Sequence, residues 1–283
     1  MKDETLGIIG MGYVGQATYN GFSSAFAINT YDTAKASTFK TIEEICKLSS
    51  VIFVCVPTPM KDTGECDTSI VRTVLQELNN HCSEHLVVLK STIPPKTTKT
   101  FAEEFENLSL VFNPEFLTES NYLRDFIDCN RVILGGHPDS TQRAKKVYQK
   151  RFSDKTIIET TSTVAEMVKY VANTFLATKV SFANEMKQIC DVLDTDYDEV
   201  VRYATLDERL GHTHWSVPGP DGHYGFGGSC FPKDINGLIY SSKSLNYEPL
   251  LLEAVWSKNL KDRPEKDWED LVGRAVSKGD QDE

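Results

Sequence analysis

From Thr5 to about Glu159, short β-rich runs alternate with helical patterns, and no other feature of the sequence restricts the fold so strongly. The runs are Leu6–Ile9, Ala27–Tyr31, Val51–Val56, Leu86–Leu89, Leu110–Phe112, Val132–Leu134 and Thr156–Ile158. Ile42–Leu48, Ser69–Leu78 and Thr141–Phe152 read as helices between them. A helix after each strand carries the chain back across the sheet, so the strands run mostly parallel and helices cover both faces. The expectation is an α/β fold over residues 1–160, a doubly wound parallel sheet.

The pattern then changes. Thr163-Val-Ala-Glu166 has the form of a capping box, and apolar residues follow at Met167, Val168, Val171, Phe175, Leu176, Val180, Phe182 and Ile189. This spacing predicts one long helix with apolar surface on more than one side. Asp194 to Leu260 reads as helical apart from a loop from Gly211 to Gly228. Residues 161–260 are therefore expected to form a small all-α domain, and 261–283 a charged tail whose last residues, Lys278–Glu283, are disordered.

Charge narrows the partners. A net charge of −11 argues against a nucleic-acid backbone, although a few local donors can still hold a phosphate-bearing small molecule. Seven scattered cysteines do not form a disulfide framework, and Cys46, Cys55, Cys82, Cys129 and Cys190 sit in apolar patterns that suit a core. No basic leader or run of about eighteen apolar residues is present, so a reduced, soluble, cytoplasmic protein with no membrane partner is expected.

Gly10-Met-Gly12-Tyr13-Val14-Gly15 follows the first strand and opens a helix. Gly10 suits the tight turn, Gly12 lets a pyrophosphate approach the backbone, and Gly15 allows helix to pack on strand. The N–H groups of the helix start would face the phosphates. Asp32 ends the second strand, where a carboxylate binds ribose hydroxyls and repels a 2′-phosphate, so NAD is favoured over NADP. Lys35 nearby argues the other way. Thr58, leaving another strand at the same sheet edge, is a further cofactor contact. The sheet domain is thus expected to be a Rossmann-type NAD-binding domain.

Gly225-Phe226-Gly227-Gly228-Ser229-Cys230-Phe231-Pro232-Lys233-Asp234 carries the chemistry. Its glycines let backbone approach a ligand, and Pro232 suits a first helical turn. Cys230 would then lie at a helix start beside Lys233, and both favour the thiolate. A lone cysteine is more often a core residue, but this setting suits a nucleophile better.

This stretch, with the glycine fingerprint, resembles the UDP-glucose/GDP-mannose dehydrogenase family. Lys90-Ser-Thr-Ile-Pro94, Asn113-Pro-Glu-Phe-Leu117, Glu166-Met-Val-Lys-Tyr-Val-Ala-Asn173 and Asp207-Glu-Arg-Leu-Gly211 agree with it and lie in the family's order, from Leu6 to about Glu253. The resemblance implies NAD-dependent, four-electron oxidation of a sugar nucleotide, UDP-glucose first, with a homodimer formed through the central helical domain. By position, Cys230 matches the nucleophile, and Lys169 and Asn173 the pair that holds the oxyanion and a water. Glu115 matches an acid–base carboxylate, Asp234 an acid that orients water, and Thr92 a hydroxyl near that water and the cofactor. Phe116, Leu117, Phe226, Gly227 and Gly228 match substrate contacts, and Arg209 an arginine reaching a neighbouring subunit's substrate. Taken singly, Glu115 could cap a helix, Asp234 could be a helix-start acid and Arg209 could be a surface ion pair.

Family members normally carry a further α/β domain that grips the nucleotide, and this sequence does not contain it. The expectation is then poor affinity, another chain that supplies the missing half, or a fragment of a longer protein; the loop Gly211–Tyr224 is a candidate clamp for the sugar-phosphate. His212, His214 and His223 in that loop are candidate metal ligands, but no fourth ligand is evident and no metal is expected.

Overall fold

The structure, a computed structural model, describes residues 5–277; the expected disorder of Lys278–Glu283 falls outside them. The chain divides into two compact units. The first comprises residues up to Thr58 and Asp67–Lys169, the second Pro59–Cys66 and the residues from Tyr170 onward.

The first unit is built on a seven-stranded sheet of order β2-β1-β3-β4-β5-β6-β7. Its strands are β1 (Thr5–Ile9), β2 (Ala27–Tyr31), β3 (Val51–Val54), β4 (His85–Leu89), β5 (Leu108–Phe112), β6 (Arg131–Gly136) and β7 (Thr156–Thr160). All neighbours pair in parallel except β5 and β6, which meet antiparallel through Val111–Gly136 and Phe112–Gly135. The chain order reverses at β1, which lies between β2 and β3, and this switch point opens a crevice at the carboxyl ends of the strands.

Strand periodicity splits the core in two. Ile9, Ile52, Val54, Val87, Leu89, Leu110 and Phe112 face one side, while Leu6, Ile8, Val51, Phe53, Leu86, Val88 and Val111 face the other. Helices α2 (Ile42–Leu48), α3 (Ser69–His81) and α4 (Thr97–Glu104) supply residues to the first core. Helices α1 (Tyr13–Phe22), α5 (Tyr122–Asp128) and α6 (Pro138–Arg151) supply residues to the second. Each fully buried aliphatic or aromatic side chain contributes roughly 1.5–3 kcal/mol. Cys46, Cys55, Cys82 and Cys190 are buried, whereas Cys129 is only half-buried and its thiol donates to the Arg131 carbonyl at 3.1 Å.

Helix α7 (Ser162–Val192) begins before the predicted capping box. Thr161 Oγ1 accepts from Val164 N at 3.4 Å, so the cap lies two residues earlier than Thr163. Glu166 does not reach back to it. Its fully buried carboxylate accepts from Lys96 N at 2.6 Å and Thr98 N at 2.7 Å, at the start of α4.

The second unit contains the later turns of α7 with α8 (Tyr197–Ala204), α9 (Phe231–Ser244) and α10 (Leu250–Asp262). The expected charged tail from 261 is folded as far as the structure describes it. Charge there is spent on ion pairs over a buried aromatic: Arg263 pairs with Asp221 and Asp267, and Trp268 packs on Trp256 with ring centroids 5.2 Å apart. The excursion Pro59–Cys66 joins this unit through Met60 N donating to the Ala275 carbonyl and Ser277 N donating to the Met60 carbonyl, both at 2.8 Å. The two units divide between Lys169 and Tyr170, within α7, and the described residues from 261 belong to the second.

Candidate active site

In the first unit, β1 leads directly into the glycine loop. Gly10 has φ +90°, and a Cβ there would lie 2.7 Å from the Cys55 carbonyl oxygen. Gly15 is more constrained: its Cβ would fall 1.9 Å from the Gly10 oxygen. A Cβ on Gly12, the residue before α1, would meet nothing within 4 Å. That open face beside backbone is the fit a pyrophosphate requires. Tyr13 is exposed and Val14 half-buried in the first turn of α1.

Asp32 closes the loop from the end of β2. Its carboxylate accepts from Met11 N at 2.6 Å and from Ala34 N and Lys35 N at 2.8 Å. Burial pushes its carboxyl up, but these backbone donors and the Lys35 ammonium outweigh burial and hold it below the usual range. A negative charge therefore stands just past the end of β2. Lys35, which argued for a phosphate, gives its ammonium to the Met11 carbonyl at 2.9 Å.

The loops after β3 and β4 are tied together at the same edge. Thr58 Oγ1 donates to the Thr92 carbonyl at 2.7 Å, and Ser91 Oγ donates to the Val56 carbonyl at 2.6 Å. Thr58 and Thr92 are both buried. Lys90 is buried too and donates to Asn113 Oδ1 at 2.6 Å; Tyr148 OH donates to the same oxygen. Burial pushes the Lys90 ammonium down to about 8.

Glu115, just past β5, is the other half of an enclosed ion pair. Lys169 Nζ donates to its Oε1 and to its carbonyl oxygen, each at 2.7 Å, while Leu117 N donates to Oε2 at 2.8 Å. Burial raises the Glu115 carboxyl, but the Lys169 ammonium and these hydrogen bonds bring it below its ordinary value. Glu115, Phe116 and Leu117 line a pocket in this unit with Lys90, Asn113 and Arg131.

In the second unit, Cys230 is the residue before α9, with Pro232 in the first turn. The loop leading to it is pinned through its backbone. Gly225 N donates to Asn184 Oδ1 at 3.1 Å, Phe226 N to Asn259 Oδ1 at 2.7 Å, and Gly228 N to Asp267 Oδ2 at 3.0 Å. Phe226 itself is an interior side chain packed with Ala177, Ile235 and Val255, not a surface for substrate as expected. Gly227 lies so close to Asp267 and Arg263 that a Cβ would fall 2.2 Å from Asp267 Oδ1. Gly228, at φ +69°, faces open space.

Asp234 is 1% exposed and doubly held: Asn173 Nδ2 donates to Oδ2 at 2.5 Å, and the Lys233 ammonium pairs with Oδ1. Burial pulls the Lys233 ammonium down, but the Asp234 and Cys230 charges more than offset this and keep it cationic. Lys169 and Asn173 lie one turn apart on α7. Arg209 is exposed and pairs with Asp207, Nε standing 2.9 Å from Oδ1. That agrees with its plainer reading within a single chain.

The loop from Gly211 is organised by Trp215, whose Nε1 donates to the Gly211 carbonyl at 2.9 Å, and by Tyr197 OH on the Trp215 carbonyl at 2.7 Å. Burial lowers the His214 imidazole, and His223 pairs with Glu265 at 2.8 Å. Among the described residues, no group of three or more His, Cys, Asp or Glu is arranged to hold a metal, and no helix is long and apolar enough to cross a membrane.

Sequence reasoning missed Glu166 as a long-range acceptor, and Asn184, Asn259 and Asp267 as the groups that fix the cysteine loop. Their partners lie 33 to 70 residues away along the chain, so no local pattern marks them.

A glycine loop at the switch point of a parallel sheet, closed by an ionised acid at the end of β2, defines a dinucleotide-binding protein of the Rossmann type. The chain belongs to the UDP-glucose/GDP-mannose dehydrogenase family: the family's NAD-binding domain matches residues 26–152 and its central domain residues 163–261. NAD is accordingly the cofactor of the first unit. A UDP-glucose 6-dehydrogenase from Rickettsia bellii is 36% identical over 78% of this chain and 51% of its own length. The enzyme of that name from Bacillus subtilis is 34% identical over 78% of this chain and 49% of its own. The structure of a UDP-glucose dehydrogenase from Pyrobaculum islandicum superposes with a TM-score of 0.83 at 28% identity, covering 95% of this chain and 70% of that one. The chain thus spans about half the length of the curated relatives it matches.

Proposed function

We propose that this chain carries out NAD-dependent oxidation of the primary alcohol of a sugar nucleotide to the acid, with UDP-glucose as the first candidate and Cys230 as the nucleophile. The observation that carries the reading is Cys230 at the amino end of α9, after a pinned glycine loop and three residues from a half-buried, cationic Lys233. Relatives named as UDP-glucose 6-dehydrogenases favour that substrate.

In the first oxidation a base takes the proton of the primary hydroxyl as hydride leaves its carbon, and NAD, when bound, supplies the hydride acceptor, one molecule for each of the two oxidations. Cys230 adds as thiolate to the carbon of the aldehyde, forming a C–S bond and an alkoxide. This capture creates the tetrahedral carbon from which a second hydride can leave, and it retains the aldehyde. An ammonium such as Lys169 and the Asn173 amide are the donors suited to that oxyanion and to a water. Loss of the second hydride leaves a thioester. Water adds to it, the C–S bond breaks, and Cys230 departs as thiolate. Glu115, kept ionised by its ion pair, is in the form that accepts the water's proton. Asp234 fixes the Asn173 amide, and Thr92 contributes a hydroxyl at the same step.

The assembly we propose is a homodimer formed along α7. Val171, Phe175, Phe182 and Ile189 are all exposed and fall on one face of that helix at spacings of four and seven. Phe175→Asp should convert a dimer to a monomer in sedimentation; a wild-type monomer refutes the pairing. Seven cysteines scattered along the sequence fit a reducing cytoplasm.

The test is NADH formed per UDP-glucose consumed to completion. About two equivalents with an acid product, abolished in Cys230→Ser, are expected from the cysteine relay. One equivalent, untouched in Cys230→Ser, would point instead to a simple alcohol or β-hydroxyacid dehydrogenase; none would point first to another sugar nucleotide (GDP-mannose or a UDP-N-acetylhexosamine) or a missing partner chain, and then to a silent NAD-binding subunit.

A further inference from the structure

The residues after α10 lie beyond the stretch matched by the family's central domain, yet they make direct bonds to the loop that ends in Cys230. Two consecutive loop residues are held. Gly228 N–H donates to Asp267 Oδ2 at 3.0 Å, and Arg263 Nε, on a side chain 4% exposed, grips Asp267 Oδ1 at 2.6 Å. The loop backbone rests on this ion pair: a Cβ at Gly227 would fall 2.5 Å from Arg263 Cζ. One residue further on, Arg274 Nη2 donates to Ser229 Oγ at 3.4 Å, and Ser229 Oγ stands 3.8 Å from Cys230 Sγ.

These contacts have a direction. A guanidinium can only donate, so at Arg274 the serine oxygen acts as acceptor. A hydroxyl polarised in this way is a better donor, and the Cys230 sulfur lies within its reach. Sulfur accepts a hydrogen bond far better as thiolate than as thiol, so an O–H aimed at it selects the anion. The ion pair beneath Gly227 and Gly228 limits the loop's freedom to swing Ser229 away.

We propose that residues 263–277 form a positioning clasp on the cysteine loop, in which Arg274 fixes the Ser229 hydroxyl as a donor to the Cys230 thiolate. Arg274 is a positioning residue here, acting through Ser229. The inference deepens the proposed function, since it rests on Cys230 being the nucleophile of that reading.

The test is site-resolved alkylation of the full chain by iodoacetamide, read by mass spectrometry of the Cys230 peptide between about pH 5 and pH 9, the span over which thiols of perturbed acidity titrate. Buried Cys190 serves as the internal reference. Arg274 is exposed, so Arg274→Gln should fold normally, as thermal melting would verify. The expected result is alkylation of Cys230 slowed about ten-fold near neutral pH in both Arg274→Gln and Ser229→Ala, with the profile moved to higher pH. Arg274→Lys should restore most of the rate. Asp267→Asn keeps an acceptor for Gly228 N–H and should disturb Cys230 less than Asp267→Ala. Wild-type profiles in both Arg274→Gln and Ser229→Ala overturn the clasp. Turnover is scored separately: if Cys230→Ser leaves it intact, the nucleophile reading falls and the proposed catalytic purpose of the clasp falls with it, whatever the alkylation profiles show.

Discussion

Lys169→Met is the most informative single change in the first unit, because it strands a buried carboxylate. Lys169 is 3% exposed and gives two hydrogen bonds to Glu115, whose own side chain is 10% exposed. Removing one member of a buried ion pair costs about 3–5 kcal/mol, most of it the penalty of leaving the other charge unpaired. At about 2–4 °C per kcal/mol for a domain of this size, the melting temperature should fall by roughly 6–20 °C. Adding Glu115→Gln removes the stranded charge, so the double variant should recover most of the loss. The pH dependence has a definite sign. In the wild type the Glu115 carboxyl lies below its ordinary value, so its stabilisation is present above the unfolded carboxylate range and disappears as pH falls through the folded value. In Lys169→Met burial, the Leu117 donor and the more weakly acting Lys90 charge remain, and burial, the largest of them, favours the protonated acid. The gap between wild type and variant should therefore narrow on acidification. Denaturant melts of the four proteins of the cycle at neutral and mildly acid pH decide the matter. A double variant no more stable than Lys169→Met, or a gap independent of pH, would refute the ion-pair reasoning.

The remaining predictions concern the glycine loop and the buried lysine. Gly12→Ala places a methyl group in open space, so the fold should survive while NAD affinity falls at least about ten-fold by titration calorimetry. Gly15→Ala, whose Cβ collides with the Gly10 oxygen, should cost about 1–3 kcal/mol or more in a denaturant melt; equal stability of the two variants contradicts the close-packing account. Burial brings Lys90 down to about 8, so the folded state sheds its proton before the unfolded chain does. Wild-type stability should gain on Lys90→Met as pH rises from about 8 toward about 10, by up to about 1.4 kcal/mol per unit, and a constant difference would show that Lys90 titrates normally.

What could be read in advance follows from the range of the interactions. Gly10, Gly12, Gly15 and Asp32 were legible because their geometry is set within one strand–turn–helix unit and the strand next to it. The sheet was legible for a similar reason, since residues alternating between its two cores impose a period on each strand. Glu166 was misread because its partners, Lys96 N and Thr98 N, lie far along the chain, while Thr163 offered a local partner of the right type. Residues 261–277 read as a tail because their charges outnumber their apolar residues. Nothing local says that Arg263 is buried or that Trp268 has Trp256 to rest on. The cysteine motif announced its chemistry, but the groups that hold it in place come from three other segments, at Asn184, Asn259 and Asp267.

The excursion Pro59–Cys66 also bears on how the chain leaves the ribosome. The mostly parallel sheet with its helices can close once the chain as far as Lys169 has emerged. Met60 by then has already been translated, yet its backbone partners at Ala275 and Ser277 are among the last described residues to be made. Vectorial synthesis therefore leaves the 59–66 arm without those two partners until they are made, although Met60 still bridges Cys66 and Lys61 N donates to the Glu65 carbonyl at 2.8 Å. For the rest of translation that arm is an open edge, available to chaperones or to another nascent chain.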